Sequence, residues 1–430
     1  VKLLSRFVTL RPAIHRGSDG WLAQGRLVLL KAAADAGGKA VMLVITIVAA
    51  RQLNPDPFAI LALAMATGWL LGVASDAGLS MHLARETARD PRGGRQRLID
   101  VVSLRAGLAF FAATVGVLIT PYLVPRHWRM QFVLIVMAQL CGAVIETVAH
   151  YFRGLQRSEI ESAIHAAHRL TTLILALIVL WWWRRLDYLG MAMLIPAATA
   201  MLVSIAVAMS LPGTREPVIP GTGLTARQVV VDVLPLGAAT LLSALYFRID
   251  VFFIEQWHGF QQVGGYNAAF RLVEALRLLP AAVMAVTFPL LVRSRDTELV
   301  RKIGGGLGLA GAALAAICAL ASPVIIPLIY GAHYAYAAPA FAILSLALPL
   351  FFLNYALTHQ VIGWDGHRAY LVIVILALAG NIAANLVLVP SRGIAGAAIA
   401  TLLTEIIVTA GCVYALARRS VATWRLAGVP

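Results

Sequence analysis

The residues of this chain able to do chemistry are charges set inside apolar sequence. Lys31, Asp35 and Lys39 recur every fourth residue, and Arg271, Glu274 and Arg277 every third. Both spacings bring the side chains onto one face of a helix. Arg248 and Asp250 stand two apart in another apolar run, while Arg105, Arg169, Asp76, Glu146 and Glu405 are single charges elsewhere. An ionisable group at the centre of a bilayer costs at least ~2.5–3.5 kcal/mol, so each needs a partner or a wet cavity. One reading is internal salt bridges that lock helices together, with Lys31, Arg169 and Arg277 near run ends free to snorkel. Taken together, the seven bases (Lys31, Lys39, Arg105, Arg169, Arg248, Arg271, Arg277) face about six acids. The cations gather in the first, seventh and eighth runs, which leads us to expect a water-filled cationic cavity suited to a polar anion. Lys31, Lys39, Arg105, Arg248, Arg271 and Arg277 are the expected binding cations, with Asp250 and Glu274 beside them. Asp76, Glu146 and Glu405 are candidate sites for a coupling ion. His150, His165 and His168 cluster near one connection and read as interfacial structural groups rather than a catalytic centre.

The elements that must position these charges are membrane spans. Of 430 residues 60% are hydrophobic and 13% charged, with mean hydropathy +0.83. A soluble domain carries about 25% charged residues, so a soluble enzyme is excluded. Apolar runs of spanning length, about 20 residues, fall near 28–50, 58–83, 99–119, 130–152, 164–183, 188–210, 229–255, 265–292, 303–329, 338–362, 369–389 and 394–417. The formal net charge of +15 is mainly a topology signal, not a nucleic-acid one. Connections on one side hold 22 Lys/Arg; the other side holds Arg51, Arg126, Arg129, Arg184, Arg185 and Arg392. Positive residues stay on the cytoplasmic side, so both termini are expected there. No cleavable signal peptide is expected, because the first run is too long for one and carries Lys31, Asp35 and Lys39. Cys141, Cys318 and Cys412 lie in spans without metal-ligand spacing and read as small packing residues.

The expected fold is an all-α membrane protein of about twelve transmembrane helices, in two pseudo-symmetric six-helix bundles around a central cavity. The divisions are a basic N-terminal segment 1–26, a first bundle 27–210, a Pro/Gly-rich cytoplasmic linker 211–228, a second bundle 229–417 and a tail 418–430. The halves echo one another weakly: residues 52–61 follow the first span as 257–266 follow the seventh. Parallel repeats of this kind are a transporter architecture. Gly37-Gly38, Pro235-Leu236-Gly237, Pro289 and Pro323/Pro327 are places where spans can bend or pack closely. The run Gly306 to Gly311 matches a dinucleotide-binding spacing formally, but it follows a cytoplasmic loop, not a strand, and is rejected. No phosphate-binding P-loop is present, which argues against direct ATP coupling. No cofactor is expected.

Several stretches resemble the polysaccharide transporters of the multidrug/oligosaccharidyl-lipid/polysaccharide (MOP) superfamily, including Wzx-type flippases. They are Ser75-Asp76-Ala77-Gly78-Leu79-Ser80 followed by Arg85-Glu86, then Arg248-Ile249-Asp250, then Val263 to Leu272, Pro289, Tyr330-Gly331 and Gly393 to Ala398. Ala59 and Leu61 depart from the pattern, which favours Gly and an aromatic residue there. The resemblance implies a flippase, not an enzyme, that carries a polyprenyl-diphosphate-linked oligosaccharide across the bacterial inner membrane by alternating access, for O-antigen, capsule or exopolysaccharide. It implies membrane lipids, a polysaccharide polymerase and glycosyltransferases as partners. The alternatives are a multidrug or toxin exporter of the same superfamily, whose cavity should be more acidic or aromatic, and an integral-membrane polymerase, which should carry a larger catalytic loop.

Overall fold

The computed structural model describes residues 37–90, 94–211, 233–284, 287, 297–364 and 366–426. Every regular element among them is helical: α1 (37–52), α2 (Pro55–Asp76), α3 (Leu79–Arg89), α4 (Gly94–Leu123), α5 (Arg129–Gly154), α6 (Ser158–Trp182), α7 (Leu186–Ser210), α8 (Leu234–Arg248), α9 (Asp250–Leu276), α10 (Thr297–Tyr330), α11 (Ala338–Ser345), α12 (Leu348–Gly363) and α13 (His367–Leu426). Short 3-10 turns precede α5 and α11. Eight helical stretches are long and apolar enough to cross a membrane, and the bent pair around residues 346–347 makes a ninth. Two of the eight contain a break with positive φ, at Gly259 (φ 75°) and Gly393 (φ 55°), and each is long enough for two crossings. With α1 as the remaining passage, the expected figure of about twelve is met.

Two of the expected spans are divided. The run 58–83 is not one helix: α2 stops at Asp76, and Ala77 (φ 46°) and Gly78 (φ 88°) turn the chain into α3. The run 338–362 divides at Leu346–Ala347, with a 45° bend. By contrast α10 runs through both Pro323 and Pro327. Lys31, Asp35 and Pro289 lie outside the described residues, as do the N-terminal segment 1–26 and all of the linker but Leu211.

The chain forms two compact units. One comprises 1–42 with 67–237 and the other 43–66 with 238–430, so the division cuts α2 between Ala66 and Thr67. In the first unit α2 crosses α5 at Gly68 and Gly72, spaced as in close-packed membrane helices. A Cβ at Gly68 would stand 3.0 Å from the Val136 Cα, and one at Gly72 3.1 Å from the Ala143 Cβ. Leu79 and Leu83 of α3, Leu98 and Val101 of α4, Val148 and Phe152 of α5 and Ala208 of α7 make its core. The turn at 77–78 is held by a backbone approach: a Cβ on Gly237 would lie 2.0 Å from the Ala77 carbonyl oxygen. Gly237→Ala is therefore expected to destabilise the protein by about 1–3 kcal/mol, as overpacking does. Gly142, mid-α5 with nothing within 4 Å of its absent Cβ, should tolerate Ala with a gain of up to about 1 kcal/mol. Melting temperatures of the two variants in detergent check this pair.

In the second unit the two echoed segments touch. A Cβ on Gly264 would meet Phe58 at 3.4 Å and the Ala59 Cβ at 3.6 Å, an ordinary contact that accommodates alanine at position 59. Phe58 packs edge-on to Tyr334 at 5.5 Å. Arg51 donates to the Leu328 and Ile329 carbonyls (2.7 Å to Ile329), closing the end of α10.

Candidate functional site

Arg248 ends α8, and Arg271, Glu274 and Arg277 lie along one side of α9 and its terminus. Glu274 sits between two cations: its Oε2 accepts from Arg248 Nη2 at 3.0 Å and from Arg271 Nη1 at 2.8 Å. Arg248 is buried, whereas the Glu274 side chain is 29% exposed and the Arg271 side chain 16%. The Arg248 guanidinium also lies 4.4 Å from the Phe270 ring centre. Arg277 is stacked between two rings, Phe247 and Phe351, at 4.4 Å from each, an arrangement that holds a desolvated guanidinium through ring quadrupoles. Among the described residues no carboxylate lies within salt-bridge distance of Arg277.

Asp250 does not bind an arginine directly. Its carboxylate accepts from the Tyr266 hydroxyl and, at 2.9 Å, from the Val251 N–H; the Tyr266 oxygen is also 3.2 Å from Thr401 Oγ1. Glu405 of α13 is buried and accepts from Asn354 Nδ2 at 2.7 Å, and Asn354 Oδ1 accepts from the Thr409 hydroxyl at 2.7 Å. Two of the three arginines thus share one directly bonded carboxylate, while the other two acids are satisfied by neutral donors. A guanidinium has five N–H donors. Each of Arg248 and Arg271 gives one to Glu274, and the Nε of Arg271 is buried with no hydrogen-bond partner. The cluster can therefore accept an anionic, oxygen-rich group beside Glu274.

The first unit holds the remaining expected site residues. Asp76 and Arg105, single charges by sequence, are partners: Arg105, 2% exposed, donates to Asp76 at 2.5 Å and to the Gly72 and Ala143 carbonyls at 3.0 and 3.3 Å. Asp76 also caps the break, accepting from Gly78 N, Ser80 N and the Ser80 hydroxyl. Glu146 is likewise paired: Arg153 Nη2 lies 2.7 Å from it, and Arg153 Nε donates to Glu161 at 2.8 Å. His165 Nε2 stands 3.5 Å from Glu146, and His150 Nδ1 2.9 Å from the Glu146 carbonyl. The Glu146 side chain is 45% exposed. Of the histidines, two of three thus belong to this acidic group, and the signal for it in sequence was the Glu146/His150/Arg153 spacing on one face of α5. Lys39 is exposed on α1. Arg153 and Glu161 were not expected as part of any site, because their pairing depends on how α5 and α6 meet.

The chain is an all-helical, multi-pass membrane protein among its described residues, with buried ion pairs and two compact units. Its structure superposes on a multidrug-resistance MATE family transporter of the MOP superfamily in an inward-facing conformation with TM-score 0.66 and 15% identity, covering 89% of this chain and 95% of that one. It superposes on the lipid II flippase MurJ with TM-score 0.67 and 12% identity, over 91% and 87%. A MOP-superfamily transporter from Pyrococcus furiosus, described as having a binding pocket of reverse polarity, gives TM-score 0.61 and 15% identity over 92% and 95%. The family model described as polysaccharide biosynthesis protein matches residues 28–295, and the chain belongs to that family. No curated protein matches it by sequence.

Proposed function

We propose that the protein is a flippase that moves a polyprenyl-diphosphate-linked oligosaccharide across the bacterial inner membrane for surface-polysaccharide synthesis, with both termini cytoplasmic. The observation that carries this reading is the sharing of Glu274 by Arg248 and Arg271. It keeps two guanidiniums apart and oriented inside an apolar unit, with donors left over for diphosphate oxygens. Glu274 neutralises one charge of the two, so an arriving diphosphate displaces no pairing that it cannot replace. Arg277, held by Phe247 and Phe351, adds a third cation one helical turn away. The polyprenyl tail stays in lipid while the sugars travel in water. The family's assignment to polysaccharide biosynthesis supports this cargo. Lys39 and Arg105 belong to the other unit, and Arg105 is committed to Asp76, so we assign the diphosphate to the second-unit arginines. Of the three coupling carboxylates, Glu146 is the one half exposed and next to two histidines, and is the proposed entry point for a coupling proton.

Arg248→Ala and Arg271→Ala are each expected to stop polymer export and to accumulate a lipid-linked oligosaccharide, at wild-type protein levels in the membrane. Radiolabelled sugar incorporation followed by lipid extraction measures both. Normal export from a stably expressed Arg271→Ala protein rejects the assignment.

A further inference from the structure

The first unit carries, at one end, a surface that neither the cation cluster nor the buried pairs explain. The α6–α7 connection reads Trp181-Trp182-Trp183-Arg184-Arg185, and its three indoles are exposed, Trp182 to 76%. Arg184 adopts φ 52°, a left-handed backbone that a long side chain rarely takes. Its N–H and that of Trp183 both donate to the Val179 carbonyl (3.1 and 2.9 Å), which closes the helix and turns the arginine pair outward. Arg185 is set by Asp187, with Nη2 at 2.8 Å and Nε at 3.1 Å, and lies 5.2 Å from the Tyr188 ring. A Cβ on Gly190, a turn further into α7, would stand 3.1 Å from the Leu134 Cβ and 3.7 Å from the Gln131 carbonyl oxygen of α5. The start of α7 is therefore beside the start of α5, where Arg126, His127, Trp128 and Arg129 follow the exposed Tyr122. Arg129 is used internally, on the Val124 and Pro121 carbonyls. Arg126 and Arg184 are exposed and have no carboxylate within salt-bridge distance among the described residues.

Two features say what covers this surface. The first is charge: four of the six Lys/Arg on the cation-poor side of the sequence fall in these two neighbouring turns, against one acid, Asp187. Topology alone depletes that side of cations, so their concentration calls for an anion. The second is shape. From Trp181 an exposed apolar stripe runs down α6 through Ile178, Ile174 and Leu170, at spacings that keep one helical face for about 16 Å. From Tyr122 a second runs down α4 through Leu118 to Phe111. A cationic head above apolar tracks of acyl-chain length matches a diacyl phospholipid with an anionic headgroup.

We propose that the α4–α5 and α6–α7 turns form a specific site for an anionic phospholipid of the leaflet they face, its phosphodiester bound by Arg126 and Arg184 and its chains lying along α6 and α4. The site is independent of the cargo. The test uses the purified full-length protein in neutral detergent, titrated with phosphatidylglycerol, phosphatidylcholine or a polyprenyl diphosphate, with melting temperature and retained lipid by native mass spectrometry as readouts. Phosphatidylglycerol is expected to stabilise the wild type more than phosphatidylcholine. Combined Arg126→Ala and Arg184→Ala should weaken that effect about a hundredfold in apparent affinity, the loss expected for two charge-assisted hydrogen bonds. Arg184→Lys should retain most of it, and it also carries the test should the double variant fold poorly. Equal stabilisation by the two phospholipids, or an unchanged preference in the double alanine variant, overturns the proposal. So does stabilisation by the polyprenyl diphosphate alone, which would make these turns part of the cargo path.

Discussion

Glu274→Gln is expected to destabilise the protein by about 3–5 kcal/mol, the penalty for leaving a buried charge without its partner. The amide keeps the shape but loses the charge, and Arg248 and Arg271, now facing one another, have no carboxylate in direct contact. Melting in detergent should show the loss, and membrane abundance should fall with it. Adding Arg271→Gln removes one of the two repelling cations and should recover part of the stability. The cycle built from the single and double variants should give a coupling energy of about 0.5–3 kcal/mol. The pair Arg89–Glu86 at 2.9 Å, whose arginine side chain is 59% exposed, is the control: Glu86→Gln leaves a solvated cation and should change stability by no more than about 1 kcal/mol. Equal effects at positions 86 and 274 would mean that Glu274 is not a structural partner of the two arginines.

Asp76→Asn should rank beside it, because Asp76 has two duties. It is the direct charge partner of Arg105, and it satisfies the backbone where α2 gives way to α3. Asparagine retains one acceptor oxygen and none of the charge. The Gly72 and Ala143 carbonyls remain on Arg105, but carbonyl dipoles do not neutralise a guanidinium. Breaking the pair should cost about 3–5 kcal/mol, and weakening the cap about 0.5–2 kcal/mol more. Arg105→Met in the Asp76→Asn background should restore much of the first part and none of the second. An Asp76→Asn protein that melts like the wild type yet no longer exports polymer would instead mark Asp76 as a coupling site.

The two predictions differ in how far sequence could have led to them. Arg271 and Glu274 are three apart on one helix, and that contact is legible from spacing. Arg248 and Glu274 are 26 residues apart, Asp76 and Arg105 29, and Asn354 and Glu405 51. Helical periodicity cannot join residues on different helices, so Asp76, Glu146 and Glu405 read as isolated charges. Asp250 stands only two residues from Arg248 in the sequence. Positions two apart on a helix point in different directions, and the carboxylate turns instead to Tyr266. The breaks were partly legible: Gly393 falls in the gap left between the last two apolar runs, and Gly78 in the Asp-Ala-Gly-Leu stretch. The bend at Leu346–Ala347 lies between Ser345 and Pro349, which mark a helix start but not the angle by which the axis turns.

The charges set inside apolar runs therefore mean two different things. By itself the sequence determined that the chain is an all-helical membrane protein of about twelve passages, since bilayer thickness and the need to satisfy every backbone group leave no other solution for such runs. It also determined which residues are out of place in lipid. Only the tertiary structure decided which of these are locked in pairs, as Arg105 is to Asp76 and Arg153 is to Glu146, and which keep donors to offer, as Arg248 and Arg271 do around Glu274. It also decided that residues 43–66 group with the second unit. Pairing between helices follows from packing angles and small-residue contacts such as Gly68 and Gly72 on α5, and no local pattern along the chain encodes where those contacts fall.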